Sequence, residues 1–339
     1  MEGAWSHADL DCKVVNRTAI ILFGRLPVPG KVKTRLAKTI GDGPACECYK
    51  GMCESVVRQA MRSTASVIFM CSEEAEVPLA KKWLEPFANP SWRKIAVRAQ
   101  VEGNLGDRIT AAFDQAFKDG CEEVIVAGTD VPDLTLDTFT LAFLHLQSFD
   151  VVIGPSEDDG YYLIGLHRKA LQERSGDLVK KLFRGIHWST SLVYRDQVST
   201  AYKLELSVSP YKCLPVLIDV DTAVDARRWL ERAAKQRHHP EQEDGRKEPS
   251  EIYASLAKAL KFTPPQDSQW RRAAPKKLGG EGWASEIDGG GAGSVLSPSG
   301  ILSALKRLAS PPRRQDMPNI RVTNRTNLAK ANGKKLTYH

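Results

Sequence analysis

The residues best suited to chemistry begin with Phe-Gly-Arg-Leu-Pro-Val-Pro-Gly-Lys-Val-Lys-Thr-Arg-Leu, from Phe23 to Leu36, where a short apolar run meets a segment of helical spacing. A loop between a strand and a helix N-terminus presents free amides and the positive end of the helix dipole to an anion. Arg25, Lys31, Lys33 and Arg35 add charge that would neutralise a di- or triphosphate, with Gly30 at the turn. Basic residues in a first helical turn oppose the dipole unless an anion compensates them, so phosphate binding explains the placement better than a solvated basic helix start. The loop is not a P-loop. Five residues separate Gly24 from Gly30 where that motif has four, Val32 stands where it has a Ser or Thr, and Pro27 and Pro29 lack the amides that wrap phosphate.

A second set is acidic. In Glu-Val-Ile-Val-Ala-Gly-Thr-Asp-Val-Pro-Asp-Leu, Glu123 to Leu134, the run Val124-Ile-Val126 has the composition of a strand buried on both faces, and Pro132 ends it. Asp130 then lies just past the carboxyl end of a buried strand, where open α/β sheets bind ligands. The competing reading is a turn Asp, with Thr129 and Asp133 capping the next helix. Asp158 and Asp159 follow another apolar run, and Asp219 and Asp221 end a third, with Asp225 a turn further on. Any one of these is more often a turn residue than a ligand. Gathered beside a phosphate-binding loop they would repel one another, and a hard divalent ion, Mg²⁺ or Mn²⁺, bridging carboxylates and pyrophosphate oxygens resolves that repulsion.

Two further stretches carry weaker signals. Glu102-Gly-Asn-Leu-Gly-Asp-Arg108 reads as a tight loop and helix cap from which Gly106 and Arg108 reach a phosphate or base. His187-Trp188-Ser189-Thr190 offers an acid–base candidate in His187, against the commoner reading of a His packed beside a Trp, and an N-cap in Ser189 or Thr190. No Ser/His/Asp nucleophile arrangement can be assembled from the spacings, which removes that hydrolase class.

The elements that must position these residues alternate. Apolar runs predict strands at Ala19–Phe23, Val67–Cys71, Lys94–Arg98, Val124–Val126, Val151–Gly154, Tyr161–Gly165 and Pro215–Asp221. Periodic segments predict helices beginning at Lys31 and over Ala45–Met61, Leu79–Phe87 with Trp83 inward, Leu105–Lys118, Leu136–Leu146, Asp177–Phe183, Thr190–Val198 and Ala223–Lys235. Strand–helix alternation through the first half argues for a mostly parallel sheet covered by helices on both faces, a three-layer α/β/α sandwich.

Of the 48 basic and 41 acidic residues, 17 and 10 fall from Pro240 onwards, so the preceding residues carry 31 of each and the formal charge of +7 belongs to the C-terminal segment. The organisation expected is a loose leader over residues 1–17, a folded α/β domain over 18–236 and a basic extension over 237–339, largely disordered. Short helical islands are expected within that extension at Ser250–Phe262 and Leu302–Ala309. A neutral core does not seek nucleic acid; only the basic tail offers it weak contact. No run of about 18 apolar residues predicts a membrane span. The N-terminus has acidic residues and no apolar signal core, and the seven cysteines include no CxxC pair. Reduced thiols and a cytoplasmic location are the expectation.

Six segments occur in series: residues 27–36, Gly103–Arg108, Gly128–Leu134, Gly154–Gly165, Gly185–Thr190 and Asp219–Thr222. Together they resemble the GT-A-type, glycosyltransferase-like proteins of bacteria associated with radical-SAM and selenodomain proteins, within the nucleotide-diphospho-sugar transferase superfamily. The resemblance runs from about Thr18 to Arg232. It implies the GT-A plan, in which a first-strand loop holds nucleotide phosphates, here Gly30, Lys31, Lys33 and Arg35. Asp130 would hold the divalent metal, with Asp221 or Asp219 completing its shell. It further implies a metal-dependent transferase taking a nucleotide-activated donor, glycosyl transfer from a nucleoside-diphosphate sugar to an unidentified acceptor being the first reading. Nucleotidyl transfer from a triphosphate and a degenerate nucleotide-binding protein are the alternatives. Lys33 and Arg35 are expected to stabilise the leaving group, and Asp158 to orient or deprotonate the acceptor. Asp159, Gly160, Tyr161 and Trp188 are expected on the acceptor side, and Arg25, Gly106, Arg108 and Thr129 with the nucleotide. In this family a glycine is typical where Asp159 stands; if that position needs a positive φ, Asp tolerates it better than most residues.

Overall fold

A computed structural model describes residues 17–88, 95–172, 177–237 and 250–263. Residues 1–16 of the leader and the island at 302–309 lie outside them. The described residues form a six-stranded sheet in the order β3-β2-β1-β4-β6-β5. Its strands are β1 (Thr18–Phe23), β2 (Ser66–Cys71), β3 (Ile95–Ala99), β4 (Glu123–Gly128), β5 (Val151–Pro155) and β6 (Tyr161–His167). β3, β2, β1 and β4 pair in parallel, and β6 runs antiparallel to both β4 and β5. The sheet is mixed and mostly parallel, as the alternation predicts.

Side chains alternate across the strands into two cores. Ile20, Leu22, Val67, Phe69, Ile125 and Ala127 face one layer, built by α1 (Thr34–Ile40), α2 (Asp42–Arg62), α3 (Val77–Leu84), α5 (Leu136–Leu146) and α9 (Ala223–Arg237). Ala19, Ile21, Ile68, Met70, Val124 and Val126 face the other, covered by α4 (Leu105–Lys118), α7 (Leu178–Leu182) and α8 (Val193–Lys203). The short α6 (Lys169–Gln172) follows β6. Because α1 and α2 leave β1 on one face while α4 enters β4 from the other, the chain reverses its winding between β1 and β4. That is the topological switch point where such sheets open a crevice beyond the strand ends.

Several boundaries differ from expectation for local reasons. The first helix starts at Thr34, not Lys31, because Gly30 and Lys33 take positive φ values of 79° and 46°. α2 starts at Asp42, before the expected Ala45, with Gly41 at φ 88° making the break. α8 runs Val193–Lys203, later than the expected Thr190 start. Thr190 instead braces the preceding turn, donating to the His187 carbonyl and accepting from Leu192 N–H. Neither Thr129 nor Asp133 caps α5: Thr135 does, accepting from Thr138 N–H at 3.4 Å. Trp83 is half-buried rather than fully inward, its Nε1–H donating to Glu54 at 2.8 Å while its ring meets Phe69 edge-on. Asn104 caps α4 through a reciprocal pair with Asp107, a capping box within the stretch read as a tight loop and helix cap.

The expected strand at Pro215–Asp221 is an extended segment with one bridge, Leu217 to Ser156. Pro215 has no N–H to give a ladder, and the amides of Leu217 and Val220 go to the carbonyls of Pro155 and Asp130 instead. The consequence reaches the site: the segment threads across the strand ends rather than joining the sheet, and delivers Asp219 and Asp221 beside Asp130. The island at 250–262 folds as α10 (Ser250–Ala259), whose Ile252 and Leu256 are buried in the α2–α9 layer, with Trp229 and Tyr253 rings 6.3 Å apart.

Candidate active site

At the carboxyl ends of the parallel strands lies an open cavity of about 380 Å³, within the range of small-ligand sites. Its lining takes Phe23 from the end of β1 and Gly24 and Arg25 just after it, Ser72 after β2, Gln100 after β3, and Thr129 and Asp130 after β4. Gly24 is closely packed: a Cβ there would sit 2.4 Å from the Phe69 ring and 3.3 Å from Thr129 Oγ1, so the ring would have to shift.

The floor is tied together by buried hydroxyls. Thr129 Oγ1 donates to the Phe23 carbonyl at 3.1 Å, locking the end of β4 to the end of β1. Tyr49, from α2, accepts from Arg25 N–H at 2.7 Å and donates to the Arg25 carbonyl at 3.1 Å. This pins the backbone of the basic loop while leaving the Arg25 side chain on the cavity lining. Burial pushes the Tyr49 phenol well above its ordinary range, so it stays a neutral donor.

Above the floor the lining is strongly cationic: Arg25, Lys31, Lys33, Arg35 and Arg108. Arg108 is held at the rim by its Nε–H to the Gly103 carbonyl, 3.1 Å, and its Nη1–H to Gln100 Oε1, 3.3 Å. Gln100 is anchored in turn by its amide to the Met70 carbonyl at 2.9 Å.

Asp130, Asp219 and Asp221 converge so that one oxygen from each lies within 4.8 Å of the others. Three hard carboxylate oxygens at that spacing suit a divalent ion such as Mg²⁺ or Mn²⁺, so the residues fit the metal that the resemblance implies. Lys33, expected to face phosphate, points into this cluster. Its Nζ donates to Asp130 Oδ2 at 2.7 Å and Asp221 Oδ1 at 2.6 Å, with Asp219 Oδ1 at 3.4 Å. Arg35 pairs with the other oxygen of Asp221. Local geometry explains the direction: Val32 is buried in the core, and the left-handed backbone at Lys33 turns the next side chain back over the strand ends.

The charges are tightly linked. Burial alone would lower the Lys33 ammonium, but Asp130, Asp219 and Asp221 outweigh it and raise its pKa above the ordinary lysine value. Burial and the Asp130 charge push the Asp219 carboxyl up, to about 8, against the pull of Lys33. Asp221 is held below the usual carboxylate value because Lys33 and Arg35 overcome its burial.

The acceptor-side candidates lie elsewhere. Asp158, Asp159, Gly160, Tyr161 and Trp188 are absent from the cavity lining. Asp158 caps its own turn, accepting from Ser156 Oγ–H and from Gly160 N–H. Asp159 adopts φ 63°, the left-handed conformation that a glycine would favour there. Tyr161 donates to Gln197 at 3.2 Å and meets the Trp188 ring edge-on at 6.4 Å. Gly106 lies beneath Trp188: a Cβ there would be 2.8 Å from the Phe183 carbonyl and 3.2 Å from Trp188 Nε1. It gives α4 room rather than lining the cavity. His187 is exposed and pairs with Asp196 at 2.6 Å.

Sequence reading missed Tyr49, Ser72 and Gln100. Ser72 and Gln100 each follow a parallel strand directly, so the rule that located Asp130 would also have found them. Tyr49 carries no such signal, since it reads as one more apolar position of an amphipathic helix.

Among curated proteins none matches this chain. Residues 56–190 match a family model described as an uncharacterised protein conserved in bacteria, DUF2064. Among solved structures, a candidate nucleotide-diphospho-sugar transferase from Desulfovibrio desulfuricans G20 is 30% identical, with a TM-score of 0.60, covering 73% of this chain and 98% of that one. A cytidylyltransferase from Leptospira borgpetersenii is 11% identical with a TM-score of 0.41, covering 72% of this chain and 94% of that one; nothing about the present site follows from so distant a likeness. From the similarity to the Desulfovibrio protein across nearly its whole length, the chain belongs to that protein's family, the nucleotide-diphospho-sugar-transferase-like proteins.

Proposed function

We propose that the protein is a metal-dependent transferase that binds a nucleotide-activated donor in the cationic cavity and transfers a glycosyl group to an acceptor. The observation that carries this reading is the juxtaposition of five cations with the Asp130, Asp219 and Asp221 cluster at the switch point of the sheet. A nucleoside di- or triphosphate carries a charge that suits the cavity, and its phosphates would bridge the two sets of charges. Asp130, Asp219 and Asp221 would hold the ion, which when bound supplies charge neutralisation at the phosphates.

The chain's own residues do the rest. Arg25, Lys31 and Arg108 bind the phosphates, and the neutral Tyr49 keeps the loop that carries Arg25 in place. In glycosyl transfer an acceptor hydroxyl oxygen forms a bond to the anomeric carbon and gives up its proton to Asp158 or to water. The bond from that carbon to the phosphate oxygen breaks, and the electron pair leaves on the nucleoside diphosphate. Lys31, Lys33 and Arg35 stabilise that developing charge, an electrostatic role. Asp158 serves the acceptor only where it approaches across the β5–β6 turn.

Thermal-shift measurements with nucleoside-diphosphate sugars and nucleoside triphosphates, with and without Mn²⁺, test the reading. Metal-dependent stabilisation by a nucleoside-diphosphate sugar is expected. Preference for a triphosphate would replace glycosyl with nucleotidyl transfer, and no response to either class would overturn the enzyme reading.

A further inference from the structure

Lys33 is the least expected feature of the site. It is a non-glycine residue in the left-handed region, φ 46° and ψ 43°, and its side chain is 3% exposed. Its ammonium lies among the same carboxylate oxygens that would ligate an ion. We propose that Lys33 is a resident cation that competes with the divalent ion for Asp130, Asp219 and Asp221, and that entry of the ion releases it into the cavity towards the nucleotide phosphates. This rests on the reading of the three aspartates as a metal site.

Three converging carboxylates do not all stay ionised beside one another without a cation. The ammonium offsets part of that repulsion when no ion is bound. It cannot share the cluster with an ion, because Mg²⁺ requires oxygen contacts of about 2.0–2.1 Å and a positive charge hydrogen-bonded to the same oxygens would repel it. Arg35 holds the second oxygen of Asp221, so that carboxylate keeps one anchor after Lys33 leaves. Lys33 is itself part of the cavity lining, and its flexible stem needs only rotamer changes to turn its head from cluster to cavity. The unusual backbone at Lys33 fits a switch, since such strain persists only where surrounding contacts over-determine it.

One consequence is coupling. The displaced ammonium regains a partner only if phosphate is present, so ion and nucleotide bind more tightly together than apart, and by linkage each strengthens the other equally. A second is that removing the ammonium favours the ion. If Lys33 leaves the cluster less than about a tenth of the time, the ion's apparent affinity is reduced about tenfold or more, and deleting the competitor restores it.

Binding of Mn²⁺ alone, read by electron paramagnetic resonance, tests this with Lys33→Met and the unaltered protein. Affinity about tenfold or more tighter in the variant is expected. Equal or weaker affinity in folded Lys33→Met, with Asp130→Asn abolishing binding, would overturn the competition and leave the metal reading intact. Absence of Mn²⁺ binding in both proteins would overturn the metal reading and the competition with it. Should Lys33→Met not fold, acetylation of lysines in the unaltered protein, followed by mass spectrometry, decides the matter. Lys33 labelling that rises on addition of Mg²⁺ supports release, and unchanged labelling overturns it.

Discussion

Lys33→Met should destabilise the protein even where no ligand is present, and the geometry sets the size. Deleting one partner of a buried ion pair costs about 3–5 kcal/mol, because the opposite charge is left uncompensated. Here the ammonium is 3% exposed but its partners Asp130, Asp219 and Asp221 are 32%, 37% and 33% exposed, so solvent screens the orphaned carboxylates. About half the buried cost, roughly 2 kcal/mol, is the expectation. For a domain of this size that is a fall in Tm of about 4–8 °C.

The sign with pH follows from the shifts. The folded-state pKa of Lys33 is raised, so its stabilisation is fully present below the ordinary lysine value and covers the whole range from pH 5 to 8. Asp219 is already pushed up to about 8, a group whose ionisation costs stability as pH rises from the ordinary carboxylate range towards that value. Without the ammonium that cost grows. The deficit of Lys33→Met should therefore be larger at pH 8 than at pH 5, and Mn²⁺ should reduce it. Thermal melts by circular dichroism at both pH values read this directly. A variant as stable as the parent at pH 8, or a deficit that grows as pH falls, would refute the reasoning.

Gly24→Ala places a Cβ 2.4 Å from the Phe69 ring and should cost about 1–3 kcal/mol, seen as a lower denaturant midpoint. Asp159→Gly should stabilise the fold slightly, by less than about 1 kcal/mol and seen as a small rise in Tm, because φ is 63° there. Since Asp159 is absent from the cavity lining, its nucleotide affinity should not change. Arg108→Ala, removing a rim cation held at 3.1 Å by the Gly103 carbonyl, should weaken nucleotide binding about tenfold, a loss of about 1.4 kcal/mol, measured by calorimetry.

Much of the scaffold was legible because its signals are local. The β-branched run Val124–Val126 and the alternating segments around it announce a parallel sheet, and Asn104 with Asp107 announces a helix start. Asp130 was legible because a carboxylate straight after a buried strand has a known geometric meaning. What could not be read depends on tertiary threading. Pro215–Asp221 has the composition of a strand, yet its amides pair with Pro155 at the end of β5 and with Asp130, and only those partners reveal that it crosses the strand ends. The direction of Lys33 was hidden for a similar reason. A lysine in a basic loop points to phosphate by composition, and only the backbone at φ 46° sends it into the carboxylates instead. Thr135, rather than Asp133, caps α5 because the loop after β4 runs two residues further before the helix begins.

The central claim is that Asp130, Asp219 and Asp221 hold an ion that a nucleotide's phosphates also touch. Phosphorus NMR of a nucleoside-diphosphate sugar with the protein and substoichiometric Mn²⁺ tests it most directly. The account predicts broadening of both phosphate resonances beyond that of the same nucleotide and Mn²⁺ without protein, with the excess lost in Asp130→Asn. Equal broadening in Asp130→Asn, or nucleotide binding that ignores the ion altogether, would contradict it.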